Sequence, residues 1–324
     1  MARQVIAVVG PTAAGKSSLG IELARALGGE IVSADSMQLY DGMDIGTAKL
    51  PPAERGGVPH HLLGLWDVRK AANVAEYQRL ARAAFDDIQA RDRVPILVGG
   101  SGLYVRAALD NLSFPGTDPR LRGRLEAELE RTGPGPLHQR LARLDPAAAA
   151  AILPGNGRRI IRALEVIELS GQPFSATLPD YQAVYPSVQL GLRLDRAELD
   201  WRITVRVDGM WEAGFVDEVR SLERRGLRAG RTASRALGYA QVLRFLAGEW
   251  TEHQARLETI RATRRFARRQ ESWFGRDPRI TWLAAAAADL VESALATIGT
   301  CGSPKVTAPR TTSSSCPTRT ARST

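Results

Sequence analysis

Cysteine is nearly missing from this chain. Of 324 residues only Cys301 and Cys316 carry a thiol, and both lie at the C-terminal end. With none in the body, neither a disulfide framework nor a cysteine metal site holds the core, and a cytoplasmic setting is expected. Long apolar runs are missing as well. No stretch approaches the roughly eighteen apolar residues of a membrane-spanning helix, and the first residues lead straight into a core strand, so neither a membrane span nor a signal peptide is expected. Aromatic residues are few, at 6%, beside 44% hydrophobic residues in all, the composition of a globular chain with one large domain or two small ones. Acidic residues are the scarcer charge, 35 against 44 basic for a net +9. Four of the positives, Lys305, Arg310, Arg319 and Arg322, sit in an acid-free tail. The excess on the body is moderate and points towards a polyanionic partner. No internal repeat is evident.

What the chain does have begins with Gly10-Pro11-Thr12-Ala13-Ala14-Gly15-Lys16-Ser17, directly after the apolar run Val5-Ile6-Ala7-Val8-Val9. Strand, glycine-bounded loop, Lys-Ser and helical pattern, in that order, make a phosphate-binding P-loop in its proper context. Backbone N–H groups and a helix N-terminus there suit a diphosphate. Lys16 adds a point charge, and the Ser17 hydroxyl is a ligand for Mg²⁺. Leu19, Leu23 and Leu27 then mark one helix face, ended by Gly28-Gly29, and the strand Glu30-Ile31-Val32-Ser33 runs into Ala34-Asp35-Ser36. A helix expected to start at Asn73, with Glu76 completing a capping box, feeds the strand Val94-Pro95-Ile96-Leu97-Val98 and then Gly99-Gly100-Ser101-Gly102.

Repeated strand–helix–strand units predict an α/β fold: a P-loop NTPase-like core whose parallel sheet is flanked by helices. Ligands of such sheets sit at the carboxyl ends of the strands, where the P-loop, Asp35 and Ser101 all fall. From Asp118 the pattern turns helical, with Asp118-Pro119 and Asp145-Pro146 as helix starts. The sheet resumes at Val188-Gln189-Leu190-Gly191-Leu192-Arg193-Leu194, and Arg279-Ile280-Thr281-Trp282-Leu283 reads as an edge strand. The expected division is a discontinuous core, residues 1–117 and 188–298, a small all-helical insertion, 118–187, and a basic tail, 299–324, too polar to fold.

The strand ending in Gly99-Gly100-Ser101 lacks the acidic residue with which hydrolytic P-loop enzymes hold Mg²⁺, which argues against a hydrolysis motor. Glycines there let a substrate approach the backbone, and Ser101 offers a hydroxyl to orient it. Asp35 has three readings: a metal ligand, a proton acceptor for a nucleophile, or the cap of a turn with Ser36. Two arginine-rich segments stand out. One holds Arg158, Arg159 and Arg162, with Glu165 placed to pair with Arg162. The other holds Arg261, Arg265, Arg268 and Arg269 beside Phe266, Trp273 and Phe274. Each is a solvated face or a nucleic-acid surface. His60-His61 lacks spaced ligand companions and reads as structural.

Several segments together resemble the tRNA dimethylallyltransferase family, also known as tRNA isopentenyltransferases or IPP transferases. They are the P-loop, Ser33-Ala34-Asp35-Ser36-Met37-Gln38-Leu39-Tyr40, Asp44-Ile45-Gly46-Thr47-Ala48-Lys49, Pro59-His60-His61-Leu62 and Gly99-Gly100-Ser101-Gly102-Leu103-Tyr104. Further along follow Asp118-Pro119-Arg120-Leu121-Arg122, Arg158-Arg159-Ile160-Ile161-Arg162-Ala163-Leu164-Glu165, Leu237-Gly238-Tyr239 and Arg264-Arg265-Phe266-Ala267-Arg268-Arg269-Gln270. The resemblance spans roughly residues 3–283. Ser101 stands where the family commonly has Thr, and Gly64 where an acidic residue is usual.

The resemblance implies transfer of a dimethylallyl group from dimethylallyl diphosphate to N6 of the adenosine 3′-adjacent to the anticodon, position 37 of the tRNA, with release of diphosphate. It implies that Gly10, Pro11, Thr12, Ala13, Ala14, Gly15, Lys16 and Ser17 hold the diphosphate with Mg²⁺ on Ser17. Asp35 and Ser101 would be catalytic. Asp35, Ser36, Met37, Gln38, Ser101 and Arg122 would contact the tRNA, and Arg158, Arg159, Ile160, Ile161 and Arg162 would grip its anticodon stem-loop. The enzyme is expected to be a cytoplasmic monomer with no membrane partner. The alternatives are a P-loop small-molecule kinase using ATP and a nucleic-acid-stimulated NTPase, both of which turn over nucleotide.

Overall fold

A computed structural model of the chain describes residues 4–174 and 181–301. Strand β1 (Val5–Val9) is buried at every position, because each of its faces meets a different layer of helices. The loop after it leads into α1 (Lys16–Leu27), then β2 (Gly29–Ser33), a two-residue β3 (His60–His61), α2 (Val74–Ala90), β4 (Val94–Gly99) and α3 (Gly102–Leu109). Four helices follow: α4 (Pro119–Thr132), α5 (Pro134–Leu144), α6 (Pro146–Ala151) and α7 (Gly157–Ser170). The chain returns through β5 (Ser187–Arg193) to α8 (Arg196–Glu212), α9 (Phe215–Arg224), α10 (Tyr239–Leu246), α11 (Glu252–Phe274), β6 (Ile280–Ala284) and α12 (Leu290–Cys301).

All six strands form one parallel sheet in the order β3-β2-β4-β1-β5-β6. Alternation along β1 divides the core. Val5, Ala7 and Val9 face a layer with Tyr77, Phe85, Phe215 and Tyr239, while Ile6 and Val8 face α1 and α12 through Leu19, Leu23, Ala294 and Ile298. Strand β6 lies at an edge of the sheet, as expected for the run 279–283. Helix α12 takes in the first three residues of the expected tail, 299–301, and the rest of that tail lies outside the described residues.

Local capping follows the sequence with one exception. Asp118 and Asp145 cap α4 and α6 by accepting from the N–H groups of Arg120, Leu121 and Ala148. Asn73 caps α2 through the N–H groups of Ala75 and Glu76, but Glu76 does not return the favour expected of a capping box. Its carboxylate pairs instead with Lys70 at 2.7 Å, a bond in which both partners are charged. Helices α4 to α7 close a core of their own around Leu121, Leu125, Leu137, Leu141, Ile160 and Leu164. Among the described residues no helix is long and apolar enough to cross a membrane.

The histidine pair is structural. His60 Nδ1 lies 2.8 Å from the Val58 carbonyl, and His61 Nε2 lies 2.7 Å from the buried Glu30 carboxylate. Arg91 forks onto the same carboxylate. These bonds, with Arg91 the largest influence, hold the Glu30 carboxyl down at about 2. A carboxyl depressed in the folded state stabilises above its unfolded value and loses that contribution as pH falls. Glu30→Gln is therefore expected to lower the unfolding midpoint at neutral pH, and the gap from wild type to shrink as pH drops from about 4.5 towards 2, measured by denaturant titration across that range.

Candidate active site

Three neighbouring strands deliver the site. The loop after β1, the turn after β2 and the glycines after β4 all leave the same edge of the sheet. Gly10 has φ +136°, and a Cβ there would lie 2.8 Å from the Leu192 carbonyl, so only glycine turns the chain there. Ala13 also takes a left-handed φ of +65°. Such a conformation costs a non-glycine residue about 1 kcal/mol and persists because the surrounding loop imposes it. Lys16 Nζ folds back to donate to the Pro11 carbonyl at 2.7 Å. Burial, with Arg206 beside it, pulls its ammonium down to about 7, against an opposing pull from Asp35.

Asp35 accepts the Met37 N–H at 2.9 Å, so the turn-capping reading holds for this carboxylate. It does more than cap. Burial raises its pKa, opposed by the Met37 N–H and by the charge of Lys16, and the side chain lines two cavities at once. The first, about 320 Å³, is walled by Thr12, Gly15, Lys16, Ser17 and Lys49. The second, about 330 Å³, is walled by Ser36, Met37, Ser101, Tyr239, Phe266 and Arg269. Thr12, Asp35, Thr47, Ala48 and Arg206 face both. The first cavity thus draws on the loop and two lysines, and the second on aromatic, thioether and hydroxyl groups together with Arg206, Arg235 and Arg269. They meet at a carboxylate. Ser101 Oγ accepts the Ser36 N–H at 3.3 Å, which joins the end of β4 to the Asp35 turn.

The expected site residues do not all gather here. Gln38 turns towards the first cavity and donates to the Thr47 carbonyl, while Ser36 and Met37 face the second. Neither cavity is lined by Arg122 or by residues 158–162. Ile160 and Ile161 are buried in the core of the insertion, at 0% and 4% exposure, which removes them from the set of residues able to touch an RNA. Their place in the helical stripe that buries Leu164 accounts for this. Arg158 and Arg159, on the opposite side of α7, are exposed. Arg122 and Arg162 both hold the fully buried Glu165 carboxylate, and Arg162 also donates to the Pro115 and Gly116 carbonyls. On the second arginine segment, Arg269 stacks 5.7 Å from the Phe266 ring at the cavity wall.

Sequence reasoning missed Arg206 and Gln270. Arg206 lies on α8, in no motif, and reaches the Thr12 hydroxyl at 3.3 Å. Gln270 ends a segment already singled out, yet its type gave no hint of a strap. Its buried amide accepts the Thr12 N–H and donates to the Gly100 carbonyl, both at 2.9 Å. Gln270→Ala strands two polar groups and is expected to cost about 2 kcal/mol or more, read as a shift in the denaturant midpoint with unchanged slope.

With this geometry in place, similarity to known proteins identifies the family. The IPP transferase family profile matches residues 38–277, and an isopentenyl transferase profile matches residues 3–63. The tRNA dimethylallyltransferase of Thermobifida fusca is 69% identical over 299 residues, which cover 91% of this chain and 94% of that protein. The tRNA dimethylallyltransferase of Streptomyces avermitilis is 69% identical over 291 residues, covering 90% and 93%. Among solved structures, the tRNA isopentenylpyrophosphate transferase of Bacillus halodurans superposes with a TM-score of 0.69 at 40% identity, covering 92% of this chain and 97% of that one. A eukaryotic dimethylallyltransferase acting on tRNA gives 0.78 at 27% identity, covering 90% and 77%. These matches set aside the kinase alternative. The chain whose glycine-bounded loop and aromatic-lined pocket meet at Asp35 belongs to the tRNA dimethylallyltransferase (IPP transferase) family.

Proposed function

We propose that the two cavities hold two substrates: dimethylallyl diphosphate in the one walled by residues 12–17, and the adenine of a tRNA nucleotide in the one walled by Ser36, Ser101 and Phe266. The observation that carries this reading is Asp35 at their junction. Adenine N6 is a weak nucleophile, because its lone pair is delocalised into the ring. As N6 attacks C1 of the dimethylallyl group, the allylic C–O bond breaks and the electron pair leaves with the diphosphate. The loop N–H groups, Lys16 and Arg206 stabilise the charge that grows there. Asp35 takes the N6 proton, and a carboxyl whose pKa is raised by burial is the stronger base for it.

A base inside a stacked loop cannot reach this point, so the adenosine enters flipped out, as the 3′ neighbour of the anticodon in the anticodon stem-loop. Exposed Arg158 and Arg159 would meet the phosphates of that stem-loop. Arg122 and Arg162, which keep part of their guanidinium surface open beside Glu165, would assist. Mg²⁺ fits the donor set. Ser17 offers an exposed hydroxyl beside Asp35 in the first cavity, and among the described residues no cluster of three acidic, His or Cys side chains forms a complete cage. That is the arrangement of an ion bound mostly through phosphate oxygens and water. When bound, it neutralises charge on the leaving diphosphate. A monomer working in the cytoplasm completes the proposal.

Incubation of the protein with unmodified tRNA, dimethylallyl diphosphate and Mg²⁺, without ATP, is expected to yield an adenosine heavier by one dimethylallyl group on nucleoside mass spectrometry. Asp35→Ala should lower kcat by about 100-fold or more. Unmodified adenosine from folded wild-type protein would overturn the reading.

Lys16 supplies a second check. With its ammonium near 7 in the free protein, it is mostly neutral at pH 8, and a bound diphosphate draws the proton back. Binding of inorganic diphosphate at pH 8 should therefore take up about one proton, measured by calorimetry in buffers of different ionisation enthalpy. Affinity should weaken as pH rises above 7, and Lys16→Met should abolish the uptake.

A further inference from the structure

Two sequence segments, Asp44-Ile45-Gly46-Thr47-Ala48-Lys49 and Leu237-Gly238-Tyr239, find no role in the chemistry above. The structure joins them through a residue of neither. The Glu218 carboxylate, on α9, accepts the N–H groups of Asp44 at 3.0 Å, Ile45 at 2.6 Å and Gly46 at 3.2 Å. It also accepts the Tyr239 hydroxyl at 2.6 Å. Three successive backbone donors converging on one carboxylate form a nest, and a charged acceptor makes each bond stronger than a neutral one. Phe215, one turn earlier on α9, packs edge-on against Tyr239 at 5.0 Å. The two rings leave no room above Gly46, where a Cβ would lie 2.2 Å from Phe215 and 2.6 Å from Tyr239.

The clamped segment is a shared wall. Gly46, Thr47 and Ala48 line the proposed adenine cavity, and Thr47, Ala48 and Lys49 line the diphosphate cavity. Its position is passed on to the Asp35 turn. Gln38 donates to the Thr47 carbonyl at 3.2 Å, and its side-chain oxygen accepts the Ser33 hydroxyl at 3.1 Å. Ser33 Oγ in turn accepts the Asp35 N–H at 3.3 Å. On Lys49, Nζ donates to the Tyr40 carbonyl at 2.8 Å and pairs with Asp44, itself in the nest.

We infer that Glu218 is a positioning residue for the transfer reaction, holding residues 44–49 as the common wall that sets the two substrates against Asp35. The inference rests on the two-substrate reading of the cavities. Glu218 touches neither cavity and acts through the backbone that it fixes.

The test is steady-state kinetics of the full chain with tRNA and dimethylallyl diphosphate, beside thermal unfolding and calorimetric binding of inorganic diphosphate. Glu218→Gln keeps the shape but turns an amide N–H₂ towards donors. It should lower kcat by about ten-fold or more and raise KM for tRNA, and it should weaken inorganic diphosphate binding less than Lys16→Met does, because the clamp reaches that cavity through Thr47, Ala48 and Lys49 and not through the loop. Gly46→Ala pushes the same wall from the other side and should reproduce the kinetic loss. It also carries the test if Glu218→Gln does not fold, and wild-type kinetics in it would then overturn the inference. A Glu218→Gln protein that melts earlier but whose folded fraction keeps wild-type kcat and KM would make the role structural only and overturn it as well. A wild-type chain that modifies no tRNA would overturn the proposed function instead.

Discussion

Three parallel strands, β2, β4 and β1, lie side by side in the sheet, and the site depends on this adjacency before it depends on any side chain. Parallel pairing makes the strands end at one edge, so three loops far apart in sequence open into the same crevice. Hydrogen bonds then fix the loops to one another. Ala34 donates to the Val98 carbonyl at 2.8 Å, and Ser101 donates back to the Ala34 carbonyl at 3.3 Å. The close approach of these chains leaves Asp35 short of water while holding it beside cations. A carboxylate in that position is neither fully solvated nor cleanly paired, the kind of environment that shifts a pKa away from its ordinary value.

Much of this was legible in the sequence because it rests on local physics. An all-buried parallel strand has to read as an unbroken apolar run, as residues 5–9 do, and a loop that wraps phosphate has to carry glycine at its turns. Aspartate before proline announced the helices of the insertion for the same reason: a side-chain oxygen and a fixed φ begin a helix without help from the rest of the fold. The return strand at 188–194 showed itself by alternation. Each of these signals needs only neighbours in the chain.

What stayed hidden depends on distant partners. Arg206, Gln270 and Glu218 act across the fold, and nothing beside them in sequence marks their targets. The misreading of Ile160 and Ile161 has a related cause. Within the Arg158–Glu165 segment the arginines and isoleucines alternate between two faces of α7, and a segment read as a unit loses that distinction. Arg122 and Arg162 show a subtler version. Their charge looked available for RNA, but the buried Glu165 carboxylate claims much of it. Burial pushes the Glu165 pKa up and the two guanidinium groups bring it below the ordinary value, so the trio holds the insertion together whatever else it meets.

The Gln270 strap has a consequence for the order in which the molecule comes into being. It ties the Thr12 amide to a residue 258 positions later in the chain, and β1 lies between β4 and β5, the latter reached only after the insertion. During synthesis the first strand and its loop emerge long before either partner, and contacts of such separation form late because a large loop must close first. The loop of residues 10–17 therefore gains its tie at Thr12 only when α11 docks. Until that moment the nascent chain carries the loop's sequence without its strap, and the anchored geometry arrives together with completion of the fold.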